Sequence, residues 1–114
     1  MTNLPLRLLA CQINIPAMTT AAARDAHLVV SATKVRAALH EKPADLVVLP
    51  ELSSIDYSRA AFENLDSLAE PLDGPSFDCW RQVAQEFNCH VAYSFARVDD
   101  TGNYICLAVV NPAG

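Results

Sequence analysis

Ala44-Asp45-Leu46-Val47-Val48-Leu49-Pro50-Glu51-Leu52 is the stretch on which the reading of this chain turns. Leu46 to Leu49 form an apolar run with no polar interruption, as in a short strand buried on both faces. Pro50 ends the hydrogen-bond ladder, because proline has no N–H to donate and fixes its own φ. Glu51 then projects from the C-terminal lip of that strand, the place where ligands and chemistry collect in open α/β sheets. Apolar walls beside a carboxylate disfavour its charged form, which is how a glutamate comes to serve as a base near neutral pH. On the local pattern alone, the stronger reading of Glu51 is the plainer one, a loop carboxylate capping the turn that follows.

On the N-terminal side, Leu6-Arg7-Leu8-Leu9-Ala10-Cys11-Gln12-Ile13 reads as a first strand. Pro16 and Thr19-Thr20 mark a loop, and either threonine can cap a helix running from about Ala21 to Glu41. Ala22, Ala26, Val29, Val30, Thr33 and Ala37 recur at helical spacing as its apolar side, with Arg24, Asp25, Lys34, Arg36 and Glu41 left for solvent. Strand, helix, buried strand is a βαβ unit, which makes the first two strands parallel.

After Glu51 come a polar loop, a short helix from Arg59 to about Leu68, and the turn Pro71-Leu72-Asp73-Gly74-Pro75. Pro75 suits the first position of the next helix, whose stripe of Phe77, Trp80, Val83, Ala84 and Phe87 is packing surface; Asn88 can provide its left-handed stop. His90 to Val98 and Tyr104 to Val110 read as an antiparallel pair around Asp99–Asn103. The order β-α-β-α-α-β-β gives a four-stranded mixed sheet with helices enough for one face. The strands are apolar on both faces, so an uncovered apolar patch larger than a monomer ordinarily exposes is expected.

The chain has 114 residues, is 52% hydrophobic and 18% charged, and carries a net charge of −5. Disorder is excluded by that balance. The lack of any Lys/Arg cluster argues against nucleic acid and anionic membrane as partners. The N-terminus lacks the basic and apolar regions of a signal peptide, and no apolar run approaches the ~20 residues of a membrane span. A cytoplasmic protein is expected. The four cysteines, Cys11, Cys79, Cys89 and Cys106, have no zinc-like spacing and read as small buried hydrophobes.

Several of these segments together resemble the carbon–nitrogen hydrolase (nitrilase) superfamily. Ala44 to Glu51 is similar to its glutamate motif, Cys11-Gln12 to the end of its first strand, and Tyr57 to the tyrosine that follows its glutamate. Gly74-Pro75 before an aromatic-bearing helix and Asn111-Pro112-Ala113-Gly114 after the hairpin complete the ordered set. Asp56, Tyr93-Ser94 and Ile105 depart from the usual family residues.

The resemblance implies the N-terminal part of an α-β-β-α sandwich, with residues 1–114 a single partial domain and the full-length parent a homo-oligomer. It implies hydrolysis of nonpeptide C–N bonds in small amides, nitriles or N-carbamoyl compounds, without metal or organic cofactor. The family's triad is Glu–Lys–Cys. Glu51 corresponds to the general base, and Tyr57 to a residue lining the substrate entrance; the lysine and cysteine fall beyond the Asn111–Gly114 turn. A truncated, inactive member acting as an interaction module is the alternative.

The other candidates carry less. Lys34 and Lys42 are the only lysines; the first falls on the long helix, the second at the far end of the strand before Glu51. Cys106 lies mid-strand, without the exposed bend a nucleophile needs. Cys89 and His90 are neighbours in a strand and point to opposite faces. His27 and His40 read as surface or partly buried helix residues, Gln12 as structural, and Asp99-Asp100 as solvated turn residues. The first βα loop has no glycine fingerprint for phosphate, and a receiver-like domain would want aspartate in place of Glu51.

Overall fold

The computed structural model describes residues 4–114. The elements run β1 (Leu8–Ala10), α1 (Ala21–Glu41), β2 (Leu46–Val48), α2 (Arg59–Glu63), α3 (Leu65–Leu68), α4 (Pro75–Phe87), β3 (His90–Asp99) and β4 (Gly102–Val110). The strands form one four-stranded sheet in the order β1-β2-β3-β4. β1, β2 and the start of β3 are parallel, with Leu9 opposite Val47 and Val47 opposite Val91; β4 returns antiparallel, with Phe95 opposite Cys106. The expected mixed α/β fold is the one observed, with two refinements. The first strand, expected over Leu6–Ile13, spans only Leu8–Ala10. The helix expected over 59–68 is broken at Asn64 into α2 and α3.

Both long helices begin and end where their local chemistry dictates. The Thr20 hydroxyl accepts from the Ala23 N–H at 3.2 Å and caps α1. Pro75 opens α4, and Asn88 closes it in the left-handed region at φ 49°. The buried side of α1 differs from the expected one. Arg24, His27, Leu28, Ser31, Ala32, Val35 and Leu39 face inward, while Val29 and Val30 are exposed. The helix contains so many small and apolar residues that two faces compete. The inward one wins by having the larger Leu28, Val35 and Leu39, and polar groups with partners below.

The core lies between the sheet and the pair α1/α4. Leu28, Val35 and Leu39 from α1 and Trp80 and Val83 from α4 meet Val47, Val91, Tyr93 and Phe95. Their alternation with outward residues sets the two faces of the sheet. β2 is therefore buried on one face only: Val47 is 0% exposed, whereas its neighbour Val48 is 37% exposed. Leu8, Ile105, Leu107 and Val109 are likewise uncovered. The expectation of a doubly buried β2 fails because no element among the described residues covers that side. A second cluster of Met18, Leu52, Ile55, Ala61 and Leu68 gathers around Ala96.

β2 stops at Val48, yet the edge of β3 is not left unpaired. The Leu49 N–H donates to Ala92 O at 2.9 Å, the Ser53 N–H to Ser94 O at 3.1 Å, and the Glu70 N–H to Ala96 O at 2.9 Å. Three separate segments thus continue the ladder along β3. At the C-terminal end, Gln85 Nε2 donates to Ala113 O at 2.8 Å. Gly114 sits at φ +96°, a backbone conformation that residues with a side chain adopt only under strain.

Candidate functional site

The corner after β2 is built from both sides. Leu49 still pairs with β3, and Pro50 ends the strand. Glu51 is exposed, and Leu52 follows at φ 53°, a left-handed conformation that a leucine adopts only at a cost of about 1–2 kcal/mol. Leu52 is nonetheless fully buried, and its N–H donates to Ser94 Oγ at 2.8 Å. Ser53 donates its N–H and its hydroxyl to Ser94 O, and its own carbonyl lies 2.8 Å from His27 Nε2. A carbonyl can only accept, so Nε2 carries the hydrogen of that bond. Further along, Asp56 Oδ1 accepts from the Met18 N–H at 3.0 Å and ties the loop to the segment before α1.

Glu51 lines an open cavity of about 240 Å³ with Leu49, Ser94, Ile105, Cys106 and Leu107. Its mouth is on the uncovered side of the sheet, since Ser94 alternates with the covered Tyr93 and Phe95. Among the described residues, Glu51 therefore has less apolar wall around it than the sequence suggested. The cavity brings Glu51 close to Cys106, but that cysteine sits in unbroken β4 and is partly buried against the helix-covered core. Tyr57 is outside the cavity. It is 67% exposed and packs edge-on against Phe62 with ring centroids 5.3 Å apart.

The remaining candidates stay apart from Glu51. Lys34 lies exposed on α1, and Lys42 is the cap residue at its end, before β2 begins. Cys89 is buried, and Cys11, Cys79 and Cys106 are half-buried. Burial raises the thiols of Cys11 and Cys89 and pushes that of Cys79 up to about 11, which leaves these three as poor nucleophiles near neutral pH. His90 is exposed on the side opposite Cys89. Among the described residues there is no group of three or more His, Cys, Asp or Glu side chains placed to hold a metal ion.

Two residues that the pattern of the chain did not single out prove central. His27, expected at or near the surface, is buried and holds the Glu51 loop. Glu70 is only 2% exposed. Its carboxylate accepts from the Ser76 N–H at 2.6 Å and the Ser76 hydroxyl at 2.8 Å, and Arg24 Nε stands 3.9 Å away. It thus caps the N-terminus of α4 across the Pro71–Gly74 turn. Burial raises the Glu70 carboxyl above the ordinary range, against the opposing pull of Ser76 and Arg24. The signal available beforehand was a lone acid six residues before a serine at a Gly-Pro helix start.

Comparison with known proteins places the family and the fold. The family model described as carbon-nitrogen hydrolase matches residues 7–114. The fold is similar to that of an N-terminal amidase crystallised with a Gln-Gly peptide, at a TM-score of 0.78 and 21% identity over 95% of this chain. It is also similar to Nit3 of Saccharomyces cerevisiae, a member of branch 10 of the nitrilase superfamily, at a TM-score of 0.74 and 23% identity over 96% of this chain. A third similar structure is XC1258 of Xanthomonas campestris, with a TM-score of 0.67 and 23% identity over 94% of this chain. This chain spans 25% of the amidase, 41% of Nit3 and 37% of XC1258. Curated protein sequences give no match.

Proposed function

This chain belongs to the carbon–nitrogen hydrolase family, and on that premise we propose that the protein hydrolyses nonpeptide C–N bonds of small molecules with Glu51 as general base. The observation that carries the reading is Glu51 itself, held at a strained strand-end corner and lining a cavity. In the Glu–Lys–Cys scheme the Glu51 carboxylate takes the thiol proton of a cysteine, and the sulfur attacks the carbonyl carbon. The lysine ammonium stabilises the resulting oxyanion. The C–N bond then breaks, and ammonia or an amine leaves with a proton returned by Glu51. Glu51 next draws a proton from water, whose oxygen attacks the thioester and frees the acid.

Amides are the first substrates to try, since the amidase of similar fold is crystallised with a Gln-Gly peptide; nitriles and N-carbamoyl compounds follow. Tyr57, exposed beside the loop, is proposed to line the substrate entrance. Residues 1–114 are proposed to form one partial domain of a cytoplasmic homo-oligomer. No described helix is long and apolar enough to cross a membrane.

A second reading is supported by a separate observation: among the described residues neither a lysine nor an accessible nucleophilic cysteine joins Glu51. On that reading the chain is an inactive member serving as an interaction module. Assaying the full chain and its Glu51→Gln variant on a simple amide and an N-carbamoyl compound separates the two. Turnover that falls by about 10²–10⁴ in the variant supports the hydrolase. Equal rates in both proteins remove Glu51 as the general base, and no turnover in either removes only activity of residues 1–114 without the family's lysine and cysteine.

A further inference from the structure

The Leu52 peptide has no reason of its own to stay left-handed. Relaxing its φ to the ordinary basin removes the strain and changes the angle between the Glu51 backbone and the loop that follows. Two buried side chains from outside the loop oppose that relaxation. Ser94, on β3, accepts the Leu52 N–H through Oγ at 2.8 Å. His27, on α1, donates to Ser53 O at 2.8 Å. Both belong to rigid elements, and both are almost inaccessible to water, at 5% exposure each. Ser94 holds the peptide that joins Glu51 to Leu52, and His27 holds the one that follows Ser53, so the two bonds bracket the left-handed residue. Ser94 also lines the same cavity as Glu51.

We propose that Ser94 is a positioning residue for Glu51, with His27 as its second strut: the serine hydroxyl latches the strained Leu52 peptide and thereby aims the carboxylate into the cavity. The inference rests on the reading of Glu51 as general base. Misaiming a base by a fraction of an ångström costs rate and leaves substrate binding largely intact.

The test places Ser94→Ala, Ser94→Thr, His27→Gln and Glu51→Gln in residues 1–114 for hydrogen exchange, and in a chain that also supplies the family's lysine and cysteine for turnover. Amide hydrogen exchange reports the latch without any need for activity. In Ser94→Ala the Leu52 amide should exchange about tenfold faster, while Val47 and Val91 in the core keep their protection. Ser94→Thr keeps the hydroxyl and should restore Leu52. His27→Gln keeps a donor near the Nε2 position and should spare Ser53. In turnover, Ser94→Ala should lower kcat by on the order of 10–100-fold with KM nearly unchanged, and Ser94→Thr should recover it. Unchanged exchange at Leu52 in Ser94→Ala, or loss of protection spread evenly over the core, overturns the latch. Wild-type kcat in Ser94→Ala beside a dead Glu51→Gln overturns its catalytic role while leaving Glu51 in place. Activity retained in Glu51→Gln overturns the premise instead.

Discussion

On one face of the sheet Val47, Val91, Tyr93 and Phe95 lie beneath α1 and α4 with almost no surface left to water. On the other, Val48 of β2, one residue out of step with Val47, and Ile105, Leu107 and Val109 of β4 stand uncovered. Composition does not separate the two sets, because both are apolar. What separates them is whether an amphipathic helix is available to close over them. The helix-covered face holds the fold together. The open face holds the mouth of the Glu51 cavity. Apolar residues left exposed together beside Glu51 mark a surface suited to being covered.

That contrast can be broken most severely at Trp80, which is 1% exposed between α4 and the sheet. Trp80→Ala should cost about 3–5 kcal/mol by urea unfolding, through lost burial and the cavity left behind. This is a large share of the roughly 5–15 kcal/mol that holds a domain folded. A loss below about 1 kcal/mol would mean that the helix-covered face is not the core.

Glu70 offers a smaller and pH-dependent effect. Glu70→Ala leaves the Ser76 N–H and hydroxyl without their acceptor, while Arg24 keeps Asp25 and Leu68 O, and should cost about 1–3 kcal/mol. Glu70→Gln keeps an acceptor for the Ser76 N–H and should cost less. The sign of the pH effect follows from the raised Glu70 carboxyl, whose protonated form is favoured by the folded state relative to the unfolded one. Its contribution to stability is greatest below the ordinary glutamate range. It declines as pH rises through the window up to the raised folded value, and is flat above it. Melts at about pH 4 and about pH 8 should therefore show wild type losing ground to Glu70→Gln at the higher pH. Identical pH slopes would remove burial as the dominant influence on this carboxyl.

The smallest effect on stability, and the sharpest test of the open face, is Leu107→Lys. Leu107 is 71% exposed, so the change should stay within about 0.5 kcal/mol of wild type. Its effect should appear in association. The 114-residue chain is expected to self-associate through this face, and sedimentation should show less of it in the variant. A monodisperse wild-type monomer would contradict the expectation.

Much of the fold was legible beforehand because it is written locally. The cap at Thr20, Pro75 at a helix start, Asn88 at a helix end and the turn between β3 and β4 each depend on a few neighbouring residues. Pro50 and the apolar run before it likewise announce a strand end at Glu51. The inward face of α1 was not legible, since an Ala- and Val-rich helix offers competing stripes and only the elements beneath it choose between them. Arg24 read as a solvent-side residue, and His27 as a surface or partly buried one, until Leu68 O and Ser53 O were placed beside them.

The amino-acid sequence by itself determined where the two long helices start and stop, the mixed α/β class, and the position of the carboxylate that follows β2. These rest on backbone chemistry within a turn or two of chain, where proline, glycine, capping hydroxyls and apolar spacing act directly. Tertiary structure alone decided which sheet face is closed, that Glu70 is buried under the start of α4, and that Ser94 and His27 hold the corner bearing Glu51. Those outcomes join residues 6 to 42 positions apart. Hydrogen bonds over such separations form only once packing has brought the partners together, and a buried polar group is tolerated only where such a partner waits.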